Sequence, residues 1–222
     1  MNTLAIVGAG PGLGLALARR FGAEGFAVAL ISRDQAHVAV LAETLTEEGI
    51  EAAGYAADVL DGAALRAALA RAAVELGPVE VLAYTPVPSA QFLKPLADTA
   101  VEDYEQAIRF SLIGLKTAVD AVSETMRTAG RGTILLANGS SSVTPNGAVA
   151  GTSVGFAAEV AYATMLHDTA AGDGIHVGQL VIPGAIKPGD PDFAPDVLAR
   201  HLWQMHVDRG DFRVTAGPAT TR

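Results

Sequence analysis

Within its first fourteen residues the chain commits to a glycine-built turn between a strand and a helix. The apolar run Leu4 to Val7 enters Gly8-Ala9-Gly10-Pro11-Gly12-Leu13-Gly14, and Leu15-Ala16-Leu17-Ala18-Arg19-Arg20-Phe21 follows with helical character. Glycines at 8, 12 and 14 let the backbone turn tightly and come close to a pyrophosphate. The helix N-terminus directs unpaired N–H groups and the positive end of its dipole at the same place. A glycine triplet alone says little. One that follows a strand and opens a helix is a candidate dinucleotide-binding turn, with Gly8, Gly10, Gly12, Leu13 and Gly14 as its residues.

The rest of the chain repeats the strand-then-helix order. Apolar, β-branched runs at Leu4 to Val7, Ala27 to Ile31, Val79 to Ala83, Thr133 to Ala137 and Val177 to Ile182 read as buried parallel strands. A short strand at Ala52 to Ala56 makes six, and Phe212 to Thr215 is a candidate seventh. Between them, helices are expected at Leu13 to Glu24, Asp34 to Glu48, Gly62 to Leu76, Val101 to Thr128 and Ser153 to Ala171. Such alternation predicts an α/β fold, a Rossmann-type doubly wound parallel sheet with its ligand crevice at the carboxyl ends of the strands. With 222 residues, one domain spanning 1–222 is the expectation.

Composition narrows the function. Half the residues are hydrophobic and 18% are charged, as suits a sheet covered on both faces. A formal net charge of −9, with no basic stripe, argues against nucleic acid as a partner. The chain has no cysteine, which removes disulfides, thiolate catalysis and cysteine-based zinc sites. The N-terminal segment lacks a secretory pattern and no apolar run reads as long enough to span a bilayer, so a cytoplasmic protein with no membrane partner is expected. His201 and His206 lie five apart in a helix-like stretch, which does not align two ligands on one face, and no metal is expected.

The second strand ends at Ile31-Ser32-Arg33, where a NAD-preferring site would place a carboxylate on the ribose hydroxyls. A planar guanidinium suits phosphate oxygens, so Ser32 and Arg33 favour NADP over NAD, with the adjacent Asp34 standing against that preference.

With these residues in order, the chain resembles the short-chain dehydrogenase/reductase family over nearly its whole length. Gly8-x3-Gly12-x-Gly14 has the family's spacing, Asp58-Val59 resembles the pair that contacts the adenine, and Pro183-Gly184, followed by Ile186, resembles the turn beneath the nicotinamide. The resemblance implies a Ser, Tyr, Lys and Asn catalytic group with a Tyr-x3-Lys signature. The chain holds only Lys94, Lys116 and Lys187, and none lies four residues after Tyr55, Tyr84, Tyr104 or Tyr162. Counting back from Gly174 puts Thr152 at the family's Tyr and Phe156 at its Lys, while Ser111 stands at the usual Asn. An alcohol such as Thr152 is too weak an acid to replace a phenol. Ser140, in Asn138-Gly139-Ser140-Ser141-Ser142, resembles the substrate-orienting serine, and Tyr84 is the candidate substitute proton donor.

Two functions follow as expectations. One is an NADP-dependent oxidoreductase that moves hydride to or from a small carbonyl, enone or related substrate with weakened acid/base chemistry. The other is a nucleotide-binding protein without catalysis, in a regulatory or partner-binding role. The helix Ser153 to Ala171 is apolar on nearly every side, which calls for a homodimer or homotetramer, or else deep burial within one chain. The segment Pro195 to Asp208 reads as an amphipathic helix that either caps the crevice or docks through Trp203.

Overall fold

The structure is a computed structural model and describes residues 2–217. Seven strands form one sheet: β1 Thr3–Val7, β2 Ala27–Ser32, β3 Ala52–Ala56, β4 Val79–Tyr84, β5 Gly132–Gly139, β6 Ile175–Ile182 and β7 Arg213–Thr215. Their order is β3-β2-β1-β4-β5-β6-β7, and every pairing is parallel. The order reverses between β1 and β4, which opens a crevice above their carboxyl ends.

The helices are α1 Leu13–Gly22, α2 Gln35–Glu47, α3 Gly62–Leu76, α4 Val101–Ile108, α5 Gly114–Ala129, α6 Ala150–Ala170 and α7 Pro195–Asp208. Strand residues alternate between the two faces, as a period of two requires. Ala5, Val7, Ala29 and Ile31 pack with α3 and α5, while Leu4, Ile6, Val28 and Leu30 pack with α1, α2 and α7. Starts of helices follow local chemistry. The Asp34 carboxylate accepts from the N–H groups of Ala36 and His37 at 2.9 and 3.2 Å, and that of Asp61 from Ala63 and Ala64, both at 3.0 Å.

Two expectations change, and of the two alternatives for the C-terminal helix one is found. The helix expected over Val101 to Thr128 is interrupted by a π-helical turn, Arg109–Ile113, because the Tyr84 hydroxyl donates to the Phe110 carbonyl at 2.5 Å. A Cβ at position 114 would collide with that same hydroxyl, so Gly114 is what lets the two elements meet. The C-terminal helix α7 docks on α1, with Trp203 edge-on to Phe21 at 4.9 Å between ring centroids, and does not border the crevice. Finally, the helical stretch Gly147–Asp173 is, by length and composition, long and apolar enough to cross a membrane, where the sequence reading found no such run. Half of it is buried, with α6 packed against β6 and the π-helical turn.

One carboxyl lies deep in that helix. Glu159 is buried, its Oε1 accepts from Asn138 Nδ2 at 2.9 Å, and burial pushes its pKa from an ordinary 4.5 up to about 8. Between those values the folded chain holds a proton that the unfolded chain releases, so this group's contribution to stability falls as pH rises across the window. We expect the melting temperature of wild type relative to Glu159→Gln to drop by several degrees from pH 5 to pH 8. Thermal melts of the two proteins over that range check the slope.

Candidate active site

The crevice is one continuous groove with an outer and an inner end, about 580 and 540 Å³, sharing Gly8, Gly10, Pro86 and Val87 along the walls. Gly8 has φ +89°, and any Cβ there would strike the Pro86 backbone. Its N–H and that of Ala9 both donate to the Ile31 carbonyl, at 2.9 and 3.0 Å, which ties the turn to the end of β2. A Cβ at Gly10 or Gly12 would meet no protein atom, so backbone there faces open space. No side chain caps α1 and its first turn carries no acid, leaving its N-terminus free for an anion. These features fit a dinucleotide pyrophosphate.

The outer end is lined by Ser32, Arg33, Asp34 and His37 from the β2–α2 corner and by Asp58, Val59 and Leu60 after β3. Arg33 is exposed, at the lip. The Asp34 carboxylate is engaged as the cap of α2, and Asp58 Oδ1 accepts from the Leu60 N–H at 2.9 Å, stiffening that corner. His37 was not singled out from the sequence. It belongs to the site because it falls in the first turn of α2, three residues after the cap.

The inner end is walled by Thr152 and Phe156 of α6, Asn138, Gly139 and Ser141 at the end of β5, and Ile182, Gly184 and Ile186 beyond β6. Thr152 and Phe156, four residues apart on α6, therefore both line the inner end. Ser140 does not: it is exposed and outside the groove, whereas Ser141 lines it. Pro183 is also exposed and outside, although Gly184 and Ile186 are in place. Tyr84 is corrected too. It is 1% exposed, borders neither end, and spends its proton on the Phe110 carbonyl, while burial raises its pKa well above the ordinary value. The Glu159 and Asp58 carboxylates push it the same way.

Behind the inner wall runs a buried polar chain. Asn138 Nδ2 donates to Glu159, Gln179 Nε2 donates to Asn138 Oδ1 and to Ser142 Oγ, both at 3.1 Å, and the Ser142 hydroxyl donates to the Gly139 carbonyl at 2.8 Å. It fixes the turn that presents Ser141. The signal for Glu159 was an acid in the middle of an apolar stretch of helix, between Ala158 and Val160; Gln179 carried none beyond its place in a strand. His167 pairs with the Val177 carbonyl and His206 with the Thr133 hydroxyl, each at 2.8 Å, and neither borders the groove. Among the described residues, no group of three or more His, Cys, Asp or Glu side chains converges on a metal position.

The family model for short chain dehydrogenases matches residues 2–190. The chain belongs to the short-chain dehydrogenase family. It is 27% identical over 130 residues to D-threitol dehydrogenase of Mycolicibacterium smegmatis, covering 59% of this chain and 49% of that one. It is 29% identical over 163 residues to 2,3-dihydro-2,3-dihydroxybenzoate dehydrogenase of Bacillus subtilis, covering 72% and 61%. The chain thus spans about half to three-fifths of the length of these relatives. A metagenomic short-chain oxidoreductase solved in complex with NADP shares the fold, with a TM-score of 0.83 at 22% identity, covering 99% of this chain and 98% of that one. The inner cleft departs from what the family resemblance implies: among the described residues neither a tyrosine nor a lysine lines it.

Tyr84→Phe takes the hydroxyl away from the half-buried Phe110 carbonyl, at a cost of about 1 kcal/mol of stability. Tyr84 lines neither end of the groove and reaches it only through the Phe110 carbonyl, so nucleotide affinity is expected to change by no more than about twofold. Denaturant unfolding and a nucleotide titration of the variant check both halves.

Proposed function

We propose that this short-chain dehydrogenase family member is an NADP-dependent oxidoreductase acting on a small carbonyl, enone or related substrate. The observation that carries this reading is the continuous groove, glycine turn at its centre, Arg33 and His37 at one end and Ser141 at the other. Backbone N–H groups of the turn and of α1 hold the pyrophosphate, Asp58 and Val59 flank the adenine, and Ser32 and Arg33 take the 2′-phosphate. Asp34, the one argument for NAD, has its carboxylate committed to the helix cap. A nicotinamide cofactor bound there supplies or accepts the hydride.

The chain's own residues orient rather than protonate. The Ser141 hydroxyl donates to the substrate oxygen, and Phe156, Val87 and Ile186 hold the carbon skeleton and exclude water. With no positioned acid the proton comes from solvent, which forfeits about 10²- to 10⁴-fold in rate relative to a fully equipped site. Substrates that are already electron-poor need this help least.

A second reading, a nucleotide-binding protein without catalysis, is favoured by one observation, the lack of tyrosine and lysine in the inner cleft. Turnover separates the two: steady NADPH oxidation with a panel of ketones and enones sinks the second reading.

We also infer a homo-oligomer. On α6 the face opposite the sheet keeps Val154 and Met165 at 42% and 61% exposure, with Ala157 and Ala161 exposed between them, a stripe at helical spacing. A second copy of the chain would cover it. Elution as a dimer or tetramer at micromolar concentration is expected, and a monomer counts against the inference.

NADPH should bind more tightly than NADH, and Arg33→Ala should weaken NADPH by about tenfold or more while leaving NADH unchanged. Nicotinamide fluorescence in a titration reads both. Failure of either nucleotide to bind overturns the cofactor assignment.

A further inference from the structure

The inner cleft is uncharged. Among the described residues, none of its lining side chains is Asp, Glu, Lys, Arg or His, in contrast to the outer end with Arg33, Asp34, His37 and Asp58. Its rim is apolar as well: Val87 is 82% exposed, Leu93 47% and Ile186 42%, three large hydrophobic side chains around one opening. The few polar side chains in the wall are mostly engaged elsewhere. The Thr85 hydroxyl faces the Val7 carbonyl at 3.4 Å and the Thr152 hydroxyl donates to the Phe92 carbonyl at 3.0 Å. Asn138 uses its amide on Glu159 and its oxygen on Gln179. Among the described residues, Ser141 alone of these polar side chains makes no side-chain hydrogen bond.

We propose that the inner cleft selects an uncharged, largely apolar carbonyl compound that carries one hydrogen-bond acceptor, seated on the Ser141 hydroxyl. The proposal rests on reading this groove as the substrate end of a cofactor site. A carboxylate entering the cleft gives up its hydration and finds no cation, a penalty that a neutral ligand escapes. A ligand rich in hydroxyl groups fares poorly for the same reason, since one free side-chain hydroxyl cannot replace the water that several groups lose. Glu159 does not alter the balance near neutral pH, because burial keeps it protonated behind Asn138. The apolar rim adds affinity in proportion to the hydrocarbon it covers.

The test needs no turnover. Acetophenone and benzoylformate share an aryl ketone and differ in a methyl group against a carboxylate, and ethylbenzene has the same skeleton without the carbonyl. Binding to the full chain is followed by ligand-observed NMR, with displacement of acetophenone as the readout, so that anions held near Arg33 do not register. Benzoylformate is expected to need about tenfold or more the concentration of unlabelled competitor ketone to displace the probe. Ser141→Ala should weaken acetophenone about fivefold and shift ethylbenzene by no more than about twofold. Displacement by benzoylformate at equal or lower concentration, equal losses for ketone and hydrocarbon in the variant, or no binding of acetophenone each overturn the proposal. An NADPH titration of the same sample separates the two failures. NADPH bound while benzoylformate outcompetes the ketone defeats this proposal alone; the ketone bound selectively with no NADPH binding defeats the cofactor reading alone.

Discussion

The groove owes its shape to the passage of Gly8 against Pro86. At this point β1 and β4 lie side by side, but their exits diverge: α1 carries the chain toward β2 and the loop after β4 carries it toward α4. The Gly8 backbone, at positive φ, packs directly on Pro86, and the Thr85 N–H donates to the Val7 carbonyl at 2.9 Å. A side chain at position 8 would wedge the two exits apart. The glycine therefore closes the floor of the groove and, in the same stroke, leaves the following N–H groups turned toward its centre. The turn's capacity to receive a phosphate depends on that contact.

Along the groove the electrostatics change abruptly. The outer end carries charged side chains at the surface, where Arg33 keeps access to water. The inner end is lined by glycine, aliphatic and hydroxyl groups, and the nearest buried acid, Glu159, is held neutral by its surroundings. Its hydrogen-bonded chain through Asn138, Gln179 and Ser142 satisfies the polar groups that would otherwise be stranded beneath the wall. That chain also stiffens this part of the wall: Ser142 is pinned to the Gly139 carbonyl, and Ser141 is carried on the turn between them.

Most of the architecture was legible in the sequence because it is local. Strand runs, the alternation with helices, and the capping aspartates at 34 and 61 each declare themselves within a few residues, and the strands fell where periodicity put them. What was not legible is set by contacts or by phase. The π-helical turn exists because Tyr84, distant in sequence, reaches the Phe110 carbonyl. Tyr84 itself sits at the end of a strand, but alternation turns its side chain to the α5 face and away from the opening. Among three successive serines on a 3₁₀ turn, each step rotates the side chain by roughly 120°, so one is exposed, one lines the cleft and one is buried. Composition cannot choose the phase; the fold chose Ser141.

The two ends of the groove also depend on different parts of the polypeptide. At the glycine turn, binding rests on backbone N–H groups and on a helix dipole, which substitution of neighbouring side chains leaves intact. Proton chemistry rests wholly on side chains, and at positions 152 and 156 those are a hydroxyl engaged with Phe92 and a phenyl ring. The two ends meet only along the shared wall of Gly8, Gly10, Pro86 and Val87, so the backbone that shapes the turn does not dictate which side chains stand at positions 152 and 156. For this chain, family membership speaks to the first end of the groove and the residues of the inner cleft speak to the second. An inner wall of glycine, aliphatic, phenyl and a few hydroxyl groups offers little to replace the water a charged ligand would lose on entering it, whatever its proton chemistry.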